Sequence, residues 1–306
     1  MLSEEQLRRF QDYDVILAPD RDVPEWWAGA PSVLRGGDGR FHLAARMREG
    51  DSPRGRRGYE VRILSSDDGI SFEPVASVRR EDVPIGVFER PALVGPPGAE
   101  GFRLYVCGPW REGPWCIMRL EDVADPGDFD AASCRPVLTP ADCGSAGPEA
   151  LKDPFVIHTA GRYHMLVIGL KDGFERTYHF TSDDGDDWRP AGEGPAFDLG
   201  GWHDYFTRPA CLLPVGVGYL LVYEGSSADW RDPVYNIATG LAWTTDLEHF
   251  TDLTPAAPLL RSTTPGDYHT WRYSHWLWVG EELWAYAEVA RPNNTNEIRL
   301  FRLPRQ

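Results

Sequence analysis

Glu89, Asp153, Glu224 and Glu288 stand at the ends of short apolar stretches, and Arg46, Arg90, Lys152 and Arg208 stand at matching ends. Carboxyls crowded among cations either pair with them or have their pKa values driven apart, and the second outcome marks sites of chemistry. Two carboxyl groups across a scissile bond suffice for glycoside hydrolysis. One gives a proton and the other attacks or activates water. The planar forks of Arg90 and Arg208, with Arg46 and Lys152 nearby, match carboxylate or phosphate geometry and point to an anionic group on the substrate. The plainer expectation is that these acids and bases pair with one another and plug a polar channel.

Lysine occurs only at Lys152 and Lys171, which flank one pair of apolar stretches. A compact ammonium there is a different tool from a guanidinium. Trp26, Trp27, Trp110, Trp115, Trp202, Trp230 and Trp271 fall between strand-like runs, where an indole offers a flat face to the C–H side of a sugar ring. Trp276, Trp278 and Trp284 read as packing residues. Glu25, His203, Asp204, Tyr268, His269, Arg272 and His275 supply further polar groups for sugar hydroxyls. No HxH or HExxH spacing occurs, so neither a metal nor a cofactor is expected. The SSDDG and TSDDG runs lack the ligand spacing of a calcium loop and read as turns.

The elements that must position these groups form a weak repeat. Its copies are GAPSVLRGGDGRFHLAARM (29–47), ERPALVGPPGAEGFRLYVCG (89–108), KDPFVIHTAGRYHMLVIG (152–169) and TRPACLLPVGVGYLLVYEG (207–225). A fifth, YSHWLWVGEELWAYAEV (273–289), lacks the proline. Pro31, Pro91, Pro154 and Pro209, with Tyr273 or Ser274 as the fifth point, are separated by roughly 55–65 residues, near the long end of propeller periods. Asp-Gly turns between strand-like runs at 56–75 and 177–191 predict hairpins, and LAWTTDLEHF (241–250) sits at the same place in the fourth unit. Helical periodicity is confined to residues 3–11. The expectation is an all-β, five-bladed β-propeller with four-stranded blades, one domain over 1–306. Pairing of YDVILAP (13–19) with EIRLFRL (297–303) would close it. First-strand starts and second-strand ends then converge on one axial funnel. The rival is a β-sandwich with long loops.

Composition sets the outer bounds. The chain has 306 residues, is 42% hydrophobic and 12% aromatic, and carries a net charge of −16. That is ample for a large core and wrong for nucleic acid, whose phosphates need a basic surface. No N-terminal apolar segment resembles a signal peptide and no run is long enough to span a bilayer, so no membrane partner is expected. Five cysteines without a CxxC pair suggest neither disulfides nor zinc, and a cytoplasmic location follows.

On these residues the chain resembles the five-bladed glycosidase superfamily of glycoside hydrolase families 32, 43, 68 and 130. Family 130, the mannoside phosphorylases and related hydrolases, is the nearest resemblance. LAARM with RRGYEVRILSSDDGISFE, then LKDPFV, then GYLLVYEGSS are similar to three of its strand motifs. The resemblance implies an acidic residue at three places where this chain has Ala30, Thr207 and Arg90; only Asp153 falls on a supporting Asp. With those acids missing, the funnel positions supply the candidates for the roles. Glu89, beside the family 130 acid position, and Glu224, facing Thr207, become the catalytic pair, with Asp153 tuning its neighbour. Arg46, Arg90, Lys152, Arg208, Trp27, Trp110, His203, Asp204, Arg272, His275 and Glu288 become substrate-binding. The expected function is exo-acting cleavage of an oligosaccharide or glycoside. A non-catalytic carbohydrate-binding propeller and a glycoside phosphorylase are the alternatives.

Overall fold

The structure, a computed structural model, describes residues 10–50, 57–96, 101–144, 147–231 and 236–304. The helical pattern expected over 3–11 lies almost wholly outside them. Twenty strands account for the regular structure, and the helices among the described residues are single 3-10 turns. None is long and apolar enough to cross a membrane.

In chain order the strands are β1 (Asp14–Leu17), β2 (Trp27–Arg35), β3 (Phe41–Glu49), β4 (Arg57–Ser66) and β5 (Glu73–Arg79). There follow β6 (Ala92–Val94), β7 (Arg103–Pro109), β8 (Trp115–Arg119) and β9 (Arg135–Leu138). Next come β10 (Ala150–Thr159), β11 (Arg162–Lys171), β12 (Phe174–Ser182) and β13 (Arg189–Pro190). The last are β14 (Phe206–Val215), β15 (Gly218–Ser226), β16 (Ala238–Thr244), β17 (Thr251–Asp252), β18 (Trp271–Val279), β19 (Glu282–Ala290) and β20 (Asn296–Pro304).

Antiparallel pairing runs β2 to β5, β6 to β9, β10 to β13, β14 to β17 and β18 to β20. The final run gains its fourth strand from the other end of the chain. Asp14 pairs with Leu300 and Leu17 with Ile298, as the YDVILAP segment suggested. Single parallel bridges, Trp27 to Asn296 and Glu175 to Phe206, link neighbouring runs. The first strands touch in cyclic order: β2 with β6, β6 with β10, β10 with β14, β14 with β18, and β18 with β2. Strands so placed are covered on both faces, which is why β2 and β14 are buried along most of their length while the outer strand β5 is largely exposed.

Two local devices recur. In the first, a Ser or Thr begins the third-to-fourth-strand turn of three runs and an Asp follows two residues later. Ser66 Oγ accepts the N–H of Gly69 at 2.9 Å, and Asp68 Oδ1 accepts those of Ile70 and Ser71. Ser182 with Asp184, and Thr244 with Asp246, repeat the pattern. These carboxylates are occupied by backbone donors, as turn residues are.

The second device is a bulge near the start of the first strand. Register slips between Gly29 and Ser32, Lys152 and Phe155, Pro209 and Cys211, and Arg272 and His275. Ala30, Asp153 and Tyr273 take left-handed φ values of 51°, 55° and 52° there. A bulge removes a backbone N–H from the ladder, and a buried N–H needs another acceptor.

Candidate active site

Those bulges explain why carboxylates gather at one end of the ring. The Ala30 N–H donates to Glu288 Oε2 at 2.9 Å, and the Tyr273 N–H donates to Glu224 Oε1. In each case the acceptor ends the second strand of the preceding run. Cys107 takes the equivalent place for the third run, its Sγ accepting the Asp153 N–H at 3.2 Å. The Arg90 N–H is accepted by Asp153 Oδ1 at 2.9 Å. Glu89, Asp153, Glu224, Glu288, Arg46, Lys152, Arg208 and Arg272 are thereby brought to one place.

Glu288 is fully buried and both its oxygens are engaged. Arg46 donates to Oε2 at 3.0 Å, while Arg272 and Asn296 donate to Oε1, each at 2.7 Å. Burial alone would raise its pKa, yet the Arg272 and Arg46 charges outweigh it and lower the value. The other Arg46 amine donates to Glu89 Oε2. Glu89 feels the same contest: burial raises its pKa, and Arg46, Arg48, Lys152 and Arg272 together bring it below the ordinary range. Its side chain keeps 12% exposure. Glu89 is an ionised carboxylate that a ligand can reach.

Glu224 is the opposite case. Burial drives its pKa up to about 7 against the pull of Arg90, Arg208, Arg272 and the Tyr273 N–H. Its Oε2 is buried and has no hydrogen-bond partner among the described residues. Tyr273 joins the two glutamates. Its N–H holds Glu224, its OH donates to Asp153 Oδ2 at 3.0 Å, and the Arg46 guanidinium lies 5.2 Å from its ring centre. A carboxylate held ionised and a second carboxyl that takes up its proton near pH 7 have the pKa division of an acid–base pair.

Reading by repeat position missed Glu175. It opens the third strand β12, and its carboxylate accepts Lys152 Nζ and Arg208 Nε, each at 2.6 Å. Burial would raise its pKa, but the Arg208 and Lys152 charges hold it at about 2. No proline marks a third strand. The one usable signal was two cations without an assigned partner.

Several sequence assignments need correction. Arg90 is fully buried and donates to the Pro209 and Ala210 carbonyls at 3.1 and 2.6 Å, so it serves the backbone and not a ligand. Trp27 is wholly buried, with the Arg48 and Arg272 guanidinia 4.4 and 5.1 Å from its ring centre, and offers no face to a sugar. Trp110 is half-buried against a core cluster, under Arg111. His203 points away from the ring axis, bonding Asp252 at 3.0 Å beside Phe197 and Tyr223. Asp204 is exposed and accepts the Ala228 N–H at 3.1 Å. His275 lies farther along β18, its Nδ1 accepting the Val33 N–H at 3.3 Å, in the apolar half of the axis. Trp278, read as packed, is 43% exposed.

No family profile matches the chain, and no curated protein matches it. Solved structures do. The complex of BT0996 with RGII superposes with a TM-score of 0.75 at 16% identity, covering 98% of this protein and 97% of that one. A β-1,2-mannobiose phosphorylase from Listeria innocua gives 0.68 at 14%, over 94% of each protein. An α-L-arabinofuranosidase from Lactobacillus brevis gives 0.67 at 13%, over 93% and 92%. At such identities the likeness is one of fold, and it spans nearly the whole sequence.

Proposed function

We propose that this chain is a glycoside-cleaving enzyme, a single five-bladed β-propeller over 1–306 with its reaction at the charged end of the axis. One observation carries the reading: Glu89 is ionised and reachable while Glu224 is buried with its pKa raised to about 7. Glu224 is the proton donor and Glu89 the nucleophile or base, the division that glycoside chemistry requires. Asp153 acts through Tyr273 and the Arg90 backbone as a positioning residue. Structures of similar fold that act on glycosides support the substrate class.

Arg46, Lys152, Arg208 and Arg272 each already hold a carboxylate, so the favoured substrate is a neutral sugar. Cytoplasmic action belongs to the same proposal, supported by cysteines that are all unpaired. The test is a panel of neutral and uronate aryl-glycosides, with and without phosphate. Cleavage of a neutral glycoside without phosphate is expected. Glu89→Gln and Glu224→Gln should each lower turnover about 10³-fold in protein that still unfolds cooperatively. Ala30 and Thr207, where the resembled families carry acids, favour a second reading: a propeller that binds glycans without cleaving them. Under it, sugar binding persists and neither substitution changes any rate.

A further inference from the structure

Exposure divides the funnel carboxylates into two sets. Asp153, Glu224 and Glu288 are fully buried, and a backbone N–H at the start of a first strand engages each of them. Glu89 and Glu175 keep 12% and 16% side-chain exposure, and Lys152 keeps 25%. Lys152 bonds Glu175 and also acts on the charge of Glu89. The reachable groups are thus Glu89, Lys152 and Glu175, which alternate acceptor and donor, with the buried Arg208 bonded to Glu175. A carboxylate has about four acceptor sites, and the bonds from Lys152 and Arg208 occupy one on each oxygen of Glu175.

We propose that Glu175, held by Lys152 and Arg208, is a specificity-determining residue that together with Lys152 grips two neighbouring hydroxyls of the substrate's terminal sugar. Each hydroxyl both donates and accepts, so one can donate to Glu175 while its neighbour accepts from Lys152. Two cations fix the carboxylate before the sugar arrives, so little ordering remains to be done on binding. Sites built this way reject analogues lacking the hydroxyl, because the charged group is then left unmatched. The inference rests on the glycoside reading above and adds the wall that selects the sugar.

The test measures binding and turnover of methyl and aryl glycosides of common hexoses and pentoses, with their monodeoxy forms, by wild type and Glu175→Gln. The variant should bind about 10- to 100-fold more weakly, as expected for loss of a charged hydrogen bond. The loss should fall mainly on KM. One monodeoxy sugar should be weakened similarly in wild type yet lose little further in the variant, the signature of direct coupling. Should Glu175→Gln not fold, Lys152→Gln gives the same comparison. Losses that add for every monodeoxy sugar, or unchanged binding by the variant, overturn the inference and leave the glycoside reading intact. A wild type that binds none of these sugars overturns both.

Discussion

The two ends of the axis are built from the same five strands yet share almost no chemistry. At their starts, the first strands surround a lattice of glutamates, arginines and one lysine. At their far ends they line a cavity of about 440 Å³ with Val33, Leu93, Phe155, Leu212, His275 and Trp278. The backbone accounts for the difference. Bulges at the starts free the buried Ala30 and Tyr273 N–H groups, and Glu288 and Glu224 supply the missing acceptors, as Asp153 does for the Arg90 N–H just ahead of β6. Arginines follow to balance the buried acids. The far ends keep regular ladders, so apolar side chains suffice. The acids are therefore part of the scaffold first, and only those with reach or a shifted pKa are available for chemistry.

Four substitutions or conditions break or sharpen that contrast. The largest loss is expected from Glu288→Ala, which strands Arg46, Arg272 and the Ala30 N–H in a buried site. Removing one partner of such a lattice costs about 3–5 kcal/mol, to be read from denaturant unfolding. At the apolar end, Leu212→Ala should cost about 3 kcal/mol by the same measurement, through a cavity alone. A cost for Glu288→Ala below that for Leu212→Ala would mean the charged lattice is not structural.

Acid separates the ends next. His275 is neutral in the fold, its pKa pushed down to about 3 by burial and then by the Arg90 charge. Its contribution is complete above its ordinary value of 6.5 and fades as pH falls toward 3. The stacked His164 and His179, both lowered to about 4 chiefly by burial, act in the same direction. Thermal midpoints should therefore decline between pH 6.5 and 4, and less steeply in His275→Gln, which keeps an acceptor for Val33. An unchanged slope would place the acid sensitivity elsewhere. The smallest effect should come from Trp278→Ser at the exposed lip of the apolar end, within about 1 kcal/mol in the same unfolding assay.

Much of this architecture was legible in the sequence. Pro31, Pro154 and Pro209 sit at the bulges, Pro91 directly precedes β6, and the Asp-Gly turns fall at equivalent hairpins. The terminal pairing was readable because YDVILAP has strand character and no other partner. The site was legible only where the repeat marks it, at first-strand starts and second-strand ends. Glu175 lies on a third strand and reaches the funnel through the bridge to Phe206, a contact that no local pattern records. Burial was equally invisible. Trp27 and Trp202 look alike in sequence, yet one is sealed beneath two guanidinia and the other stacks on Tyr223 beyond the axis. Nor does spacing tell that His203 turns outward to Asp252.

The most direct test is a carboxyl-carbon NMR titration of glutamate-labelled protein, with Glu224 and Glu89 assigned through their glutamine variants. Glu224 should titrate near pH 7 while Glu89 stays ionised through the whole neutral and mildly acidic range. A Glu224 midpoint at or below the ordinary glutamate value of 4.5, or a common midpoint for both residues, would contradict the acid–base division.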